Sequence, residues 1–273
     1  MRSSLKGTLV LVGCGKMGSA MLEGWLSRGI NASQIAVLEP MPSLELRALL
    51  SKHVVQLNPS PASIQDAEVV ILAIKPQMMA EVLPSLLPMM TTKPLVLSIA
   101  AGKTIASFEA AMGKGTSIIR TMPNMPAAIG RGITAMVGNA SVTSAQMKLA
   151  EELLTITGEV VRVDNEAAID LVTAVSGSGP AYVFLLAETL AAAGEKAGLP
   201  KELAVRLARA TVAGSGELMR QSGIDAAILR QNVTSPNGTT HAALKVLMAK
   251  DGLQQLMNRA VEAAALRSQE LAK

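Results

Sequence analysis

Aromatic residues are almost missing from this sequence: Trp25, Phe108, Tyr182 and Phe184 are all that its 273 residues carry. Proteins that bind single-stranded nucleic acid stack bases on aromatic platforms, so this scarcity speaks against such a role. Cysteine is scarcer still. Cys14 stands alone and cannot form an internal disulfide, and nothing between Met1 and Lys6 reads as a signal peptide, so a reducing, cytoplasmic setting is expected. Cys14, His53 and His241 lie far apart without ligand spacing, and no metal site is expected. Long apolar runs are also lacking. The longest, Ala181 to Leu190, is interrupted by Glu188 and falls short of the ~20 residues that cross a bilayer, so no membrane association is expected. Neither sign of charge dominates. Net charge is +4, with 14 basic against 11 acidic residues up to position 164 and 11 against 10 beyond it, which leaves no basic face for nucleic acid.

What is present is aliphatic. Hydrophobic residues make up 49% of the chain and charged residues 17%, which excludes a disordered, highly charged polymer. The length exceeds one average domain, and the texture changes once. Up to about residue 164, short apolar runs alternate with helix-period segments. Thr8 to Val12, Ile35 to Leu38, Val69 to Ile74 and Leu95 to Ile99 read as strands, with helices over Met17 to Arg28 and Ser43 to Ser51. That alternation predicts a parallel, doubly wound α/β sheet of Rossmann type. From Glu166 onward only Ala-rich helical periods follow, punctuated at Gly198-Leu199-Pro200 and at Ser235-Pro236-Asn237-Gly238. The predicted domains are therefore residues 1–164, a dinucleotide-binding unit, and 165–273, an all-helical unit. Alanine-rich helices bury little area apiece, so an oligomer that buries more is expected.

Gly13-Cys14-Gly15-Lys16-Met17-Gly18 follows a predicted strand and opens a predicted helix, the context that gives a G-x-G-x-x-G pattern meaning. Gly13 permits the tight turn, Gly15 the approach of backbone to pyrophosphate, and Gly18 close packing of helix on strand. Glu39 ends the second strand 21 residues after Gly18, where a carboxylate accepts hydrogen bonds from ribose hydroxyls and repels a 2′-phosphate. No arginine follows before Arg47. The pattern predicts NAD(P)H binding and favours NADH over NADPH.

Two more loops fall at carboxyl ends of predicted strands, where sheets of this kind bind ligands: Ala73-Ile74-Lys75-Pro76 and Ala100-Ala101-Gly102. Proline at 76 holds Lys75 extended. In the second half, Ser176-Gly177-Ser178-Gly179-Pro180 interrupts two helical runs with small residues. Thr234 to Thr240 precedes another helix and offers hydroxyls and amides as a seat for a small carboxylate.

Together these segments, with Arg120-Thr121-Met122-Pro123-Asn124 and Val175 to Tyr182, resemble the pyrroline-5-carboxylate reductase family over essentially the whole chain. The resemblance implies reduction of 1-pyrroline-5-carboxylate to L-proline by hydride transfer from NAD(P)H, the last step of proline biosynthesis. It also implies a homodimer with intertwined C-terminal helices, assembling further into a decamer. By the same resemblance, cofactor contacts fall at Gly13 to Gly18, Glu39, Ser60, Ala73 to Pro76 and Ala100 to Gly102. Substrate contacts fall at Ser176, Gly177, Ser235, Gly238, Thr239 and Thr240, with the Thr240 hydroxyl as the catalytic group on the ring nitrogen. Three positions depart from the family pattern: Asn237 replaces a usual Gly, Met125 a usual Thr, and His241 a common aliphatic residue. Asparagine tolerates positive φ, so the loop shape can survive.

Hydride transfer to a C=N bond asks no nucleophile of the protein. Two other readings use the same residues. One is a 2- or 3-hydroxy-acid dehydrogenase, for which Lys196 and His241 are the candidate bases; the other is a dinucleotide sensor without turnover.

Overall fold

The computed structural model describes residues 4–271. The chain divides into two compact bodies: residues through Gly177 together with the segment from Ala264, and Ser178–Ala263.

In the first body, eight strands form one sheet among the described residues. They are β1 (Thr8–Val12), β2 (Ile35–Leu38), β3 (Gln56–Leu57), β4 (Ala67–Leu72), β5 (Leu95–Ser98), β6 (Ile118–Met122), β7 (Gly132–Gly138) and β8 (Gly158–Arg162), in the order β3-β2-β1-β4-β5-β6-β7-β8. Helices α1 (Lys16–Ser27), α2 (Leu44–His53), α3 (Met79–Leu86), α4 (Ile105–Met112) and α5 (Ser144–Leu154) connect them. Strand side chains alternate between two apolar layers. Leu9, Leu11, Val69 and Ile71 pack with Leu22 and Trp25 of α1 and Leu153 of α5. Val10, Val12, Val70 and Leu72 pack with Leu83 and Leu86 of α3 and Phe108 of α4. Burial on both faces explains why these strands read as continuous apolar runs. Each large side chain so buried contributes about 1.5–3 kcal/mol. Trp25 is fully buried, and its indole N–H donates to the Leu153 carbonyl at 2.8 Å.

The sheet is doubly wound as expected, and its parallel order is broken at one pair: β7 runs antiparallel to β6, and β8 then runs parallel to β7. Between Met122 and Gly132 only nine residues, 123–131, are available. A parallel return needs a crossover of a dozen or more, so the chain doubles back.

The helices of the second half are α6 (Ala168–Val172), α7 (Gly179–Lys196), α8 (Lys201–Ser222), α9 (Ala226–Asn232), α10 (Thr239–Leu247) and α11 (Leu253–Leu271). The interruption expected at Ser176 to Pro180 is milder than a loop. A π-helical turn, Thr173–Gly177, runs almost directly into α7, and Pro180 sits in that helix's first turn. The helical stretch Ala168–Lys196 is thus 29 residues long and holds an 18-residue window with a mean hydropathy of 1.4, long and apolar enough by composition to cross a bilayer. The expectation that no segment reaches that length is corrected here. In the second body, α7 and α8 pair after a reversal at Gly198, whose φ is +108°. Ala191, Ala204 and Ala208 are buried in that body, small side chains that let the helices approach closely.

Candidate functional site

Strand order reverses between β1 and β4: the chain winds outward through β2 and β3, then returns to β4 on the other side of β1. Loops leaving those two strands must diverge, and the crevice this opens is where open α/β sheets bind ligands. A cleft of about 480 Å³ occupies this place, lined by Gly13 and Gly15 after β1, Glu39 after β2, Asn58 after β3, and Ala73 to Lys75 after β4.

The three glycines answer to three different demands. Gly13 has φ +87°, and a Cβ there would stand 2.5 Å from Ile74 Cγ2 and 2.7 Å from the Ala73 carbonyl oxygen. At Gly18 a Cβ would meet the Gly13 carbonyl oxygen at 2.6 Å, so helix and turn touch through backbone alone. At Gly15 no protein atom lies within 4 Å of the Cβ position. Gly15 and Lys16 are exposed at the head of α1, where no side chain caps the helix. Its first amides have no intrahelical acceptor. A built turn, an open face at Gly15 and an uncapped helix start fit the pyrophosphate of a dinucleotide.

Cys14 contributes its backbone. Its N–H donates to Glu39 Oε2 at 2.8 Å, while the thiol is buried and its pKa is pushed up to about 11, chiefly by desolvation. Met17 packs against the core. Glu39 also accepts from the Met41 amide at 3.0 Å through Oε1, so both carboxylate oxygens are held, with lone pairs to spare for hydroxyl donors. Asn58, at φ +51°, clamps the Glu39 backbone: its Oδ1 accepts the Glu39 N–H at 2.8 Å and its Nδ2 donates to the Glu39 carbonyl at 2.9 Å. Asn58 belongs to no motif in the sequence. A short Leu-Asn-Pro turn after a two-residue strand offered the only signal. Ser60, two residues on, starts a 3-10 turn and accepts from Ser63.

Lys75 is extended, at φ −64° and ψ 143°, and exposed, with Pro76 behind it. Of the loop after β5, Ala100 is buried in the core, Ala101 is exposed, and Gly102 has φ +70° with its Cβ position 3.1 Å from Leu271 of α11. Ser176 and Gly177 lie in the π-turn. The Ser176 hydroxyl donates to the Val172 carbonyl at 3.2 Å, and Gly177 leaves room for Met122, whose Cε would be 2.5 Å from a Cβ.

A buried ionic cluster, also missed from sequence, fastens this body. Arg120, 2% exposed, pairs with Glu166 at 3.0 Å and Asp170 at 3.4 Å; Asp170 accepts from Ser268 at 2.7 Å, and Glu166 from the Ile105 amide at 2.8 Å. Arg120 Nε has no partner among the described residues. Arg120 was legible only as part of a motif, because its partners come from positions 46 and 50 residues away.

The second body carries Thr234 to Thr240. Gly238 caps α10 without a side chain and is extended, and the first helical bond runs from Ala242 to Gly238. The amides of Thr239 and Thr240 therefore start the helix with no intrahelical acceptor. The Gly238 amide donates to the Ser235 carbonyl at 3.1 Å, and a Cβ at 238 would strike Ser235 Oγ at 2.3 Å. Asn237 takes φ +57°.

Residues 166–271 match the family model "Pyrroline-5-carboxylate reductase dimerisation", and residues 8–102 match "NADP oxidoreductase coenzyme F420-dependent". The pyrroline-5-carboxylate reductase of Pseudomonas aeruginosa is 41% identical over 269 residues, 97% of each chain. The solved pyrroline-5-carboxylate reductase of Coxiella burnetii superposes with a TM-score of 0.90 at 35% identity, covering 98% of this chain and all of that one. The Plasmodium falciparum pyrroline carboxylate reductase, solved with NADP bound, gives 0.80 at 29% identity over 98% and 99% of the two chains. With likeness of that level running the length of both chains, this chain belongs to the pyrroline-5-carboxylate reductase family.

Proposed function

We propose that the chain reduces 1-pyrroline-5-carboxylate to L-proline, and that the cleft at the β1/β4 reversal holds the nicotinamide dinucleotide. The observation that carries this reading is the dinucleotide cradle, Gly13 to Gly18 with Glu39 and Asn58, in a chain related end to end to reductases of that name. A reduced nicotinamide, when bound, supplies the hydride that the imine carbon takes up. The amides opening α1 hold the pyrophosphate, Glu39 the adenine ribose, and the loops Ala73 to Pro76 and Ala100 to Gly102 the nicotinamide side, with Ser60 outside the cleft as a further adenosine contact.

On the substrate side, the amides of Thr239 and Thr240 hold the carboxylate, with Ser235 beside them; Ser176 and Gly177, in the first body, are proposed as further substrate contacts. Gly238 contributes shape, since its own amide is committed to Ser235. The Thr240 hydroxyl orients the ring nitrogen, which must carry a proton for the carbon to accept hydride. Replacing Thr240 by Ala removes one hydrogen bond of about 1–1.5 kcal/mol and is expected to lower turnover about tenfold. Unchanged kinetics would remove Thr240 from the mechanism.

Glu39 and Lys75 are the charged side chains lining the cleft. A carboxylate already fixed at the ribose position favours NADH over NADPH. Initial rates of cofactor oxidation at 340 nm with pyrroline-5-carboxylate, run with each cofactor at equal concentration, test both proposals. Turnover supports the function and the rate ratio judges Glu39. Dinucleotide binding without imine turnover would leave the sensor or the hydroxy-acid dehydrogenase.

The working division of the chain is placed at residues 164 and 165, with the dimerisation match beginning at 166 as support. The helical unit forms an intertwined homodimer that assembles to a decamer in the cytoplasm. Its apolar side chains support a protein partner: Val183, Phe184, Leu185 and Leu186 are each about half exposed. A bilayer accounts for them less well, because Glu188 and Asp170 fall within the apolar stretch and Asp170 is tied to Arg120.

A further inference from the structure

Two of the three departures from the family pattern, Asn237 and His241, touch each other. The Asn237 N–H donates to His241 Nδ1 at 3.1 Å. Counting from the cap at Gly238, His241 is the third residue of α10 and Asn237 the residue before the cap. In a capping box the cap's side chain takes the amide of the third residue, and that residue's side chain reaches back to the cap's own amide. Gly238 has no side chain to offer, and its amide is spent on the Ser235 carbonyl. His241 instead reaches one residue further back. In this bond Nδ1 is the acceptor and Nε2 is left to face away from the loop.

Asn237 needs such a partner. It holds φ +57°, a region that glycine enters freely and asparagine at some cost. It stands directly before the amides of Thr239 and Thr240, so a loop that relaxes here swings those donors.

We infer that Asn237 and His241 act as a positioning pair that sets the carboxylate-holding loop ahead of α10. The pair also withdraws the Asn237 amide from competition for the substrate's carboxylate, leaving Thr239 and Thr240 as its donors. This rests on the reading that α10 seats the substrate.

The test is a four-variant cycle: wild type, Asn237→Gly, His241→Leu and the double variant, each assayed for kinetics with pyrroline-5-carboxylate and for thermal unfolding. One hydrogen bond is worth about 1 kcal/mol net, or about fivefold. On the wild-type background, His241→Leu is expected to raise KM for the imine about fivefold, with kcat and the dinucleotide KM moving less than twofold. On the Asn237→Gly background, where the loop shape needs no support, the same change is expected to move KM less than twofold. An equal rise on both backgrounds, or none on either, overturns the pair. Coupled melting temperatures with an unmoved KM overturn the positioning role and leave a purely structural bond. A wild-type enzyme inert toward the imine would sink the functional reading instead, and the melting coupling would then decide whether the two residues act together.

Discussion

At the residue scale, Gly15 and Gly18 separate fold from function within one motif. At Gly15 a methyl meets no protein atom within 4 Å, whereas at Gly18 it meets a backbone oxygen at 2.6 Å. Gly15→Ala is therefore expected to melt like wild type while its KM for the dinucleotide rises severalfold. Gly18→Ala is expected to lose about 1–3 kcal/mol of stability as well, and paired unfolding curves and kinetics check the contrast. Cys14 offers a third case. With its thiol pKa near 11, the reactive thiolate is a minute fraction at pH 7. Alkylation by iodoacetamide should be slow there and rise about tenfold per pH unit until the thiol ionises, as mass spectrometry at several pH values would record. The glycines and Glu39 were legible because backbone conformation and charge are local demands. Asn58 was not, since its role as a clamp on Glu39 depends on β2 and β3 lying side by side.

At the scale of elements, β1 and β2 fall where alternating texture places them, because strands buried on both faces leave an unbroken apolar signature. The last two strands did not announce themselves: the edge strand β8 is largely exposed, and β7 beside it holds Thr134 and two terminal glycines amid its apolar residues. The reversal of β7 rests on the length of a connection that shows only once both of its ends are known. Helix α7 was legible as a helix, but composition alone could not say that its apolar side chains stay uncovered within the chain. If a second copy covers them, Phe184→Glu puts a charge into a desolvated interface, an expensive change. The variant is expected to shift toward monomer in analytical ultracentrifugation. An unchanged sedimentation coefficient would place the interface elsewhere.

At the scale of the whole molecule, Arg120 is the most consequential side chain outside the cleft. Replacing it with Met would leave Glu166 and Asp170 without their shared cation, and breaking a buried pair in this way costs about 3–5 kcal/mol. Arg120→Met is expected to unfold far below wild type in a thermal melt, while an Arg120→Met variant also carrying Glu166→Gln and Asp170→Asn should recover part of the loss. The cluster also ties α11 back to earlier parts of the chain, since Ser268 reaches Asp170 across 98 residues and Leu271 abuts Gly102. Seen from the ribosome, this connection imposes a schedule. The nucleotide-binding body cannot close its last contacts until residue 271 has left the exit tunnel, so the helical body is synthesised while its neighbour still waits for its final helical turns. Nascent chains in which Ser268 is still inside the tunnel should therefore remain more open to protease at the 100–102 loop than longer chains in which Leu271 has emerged.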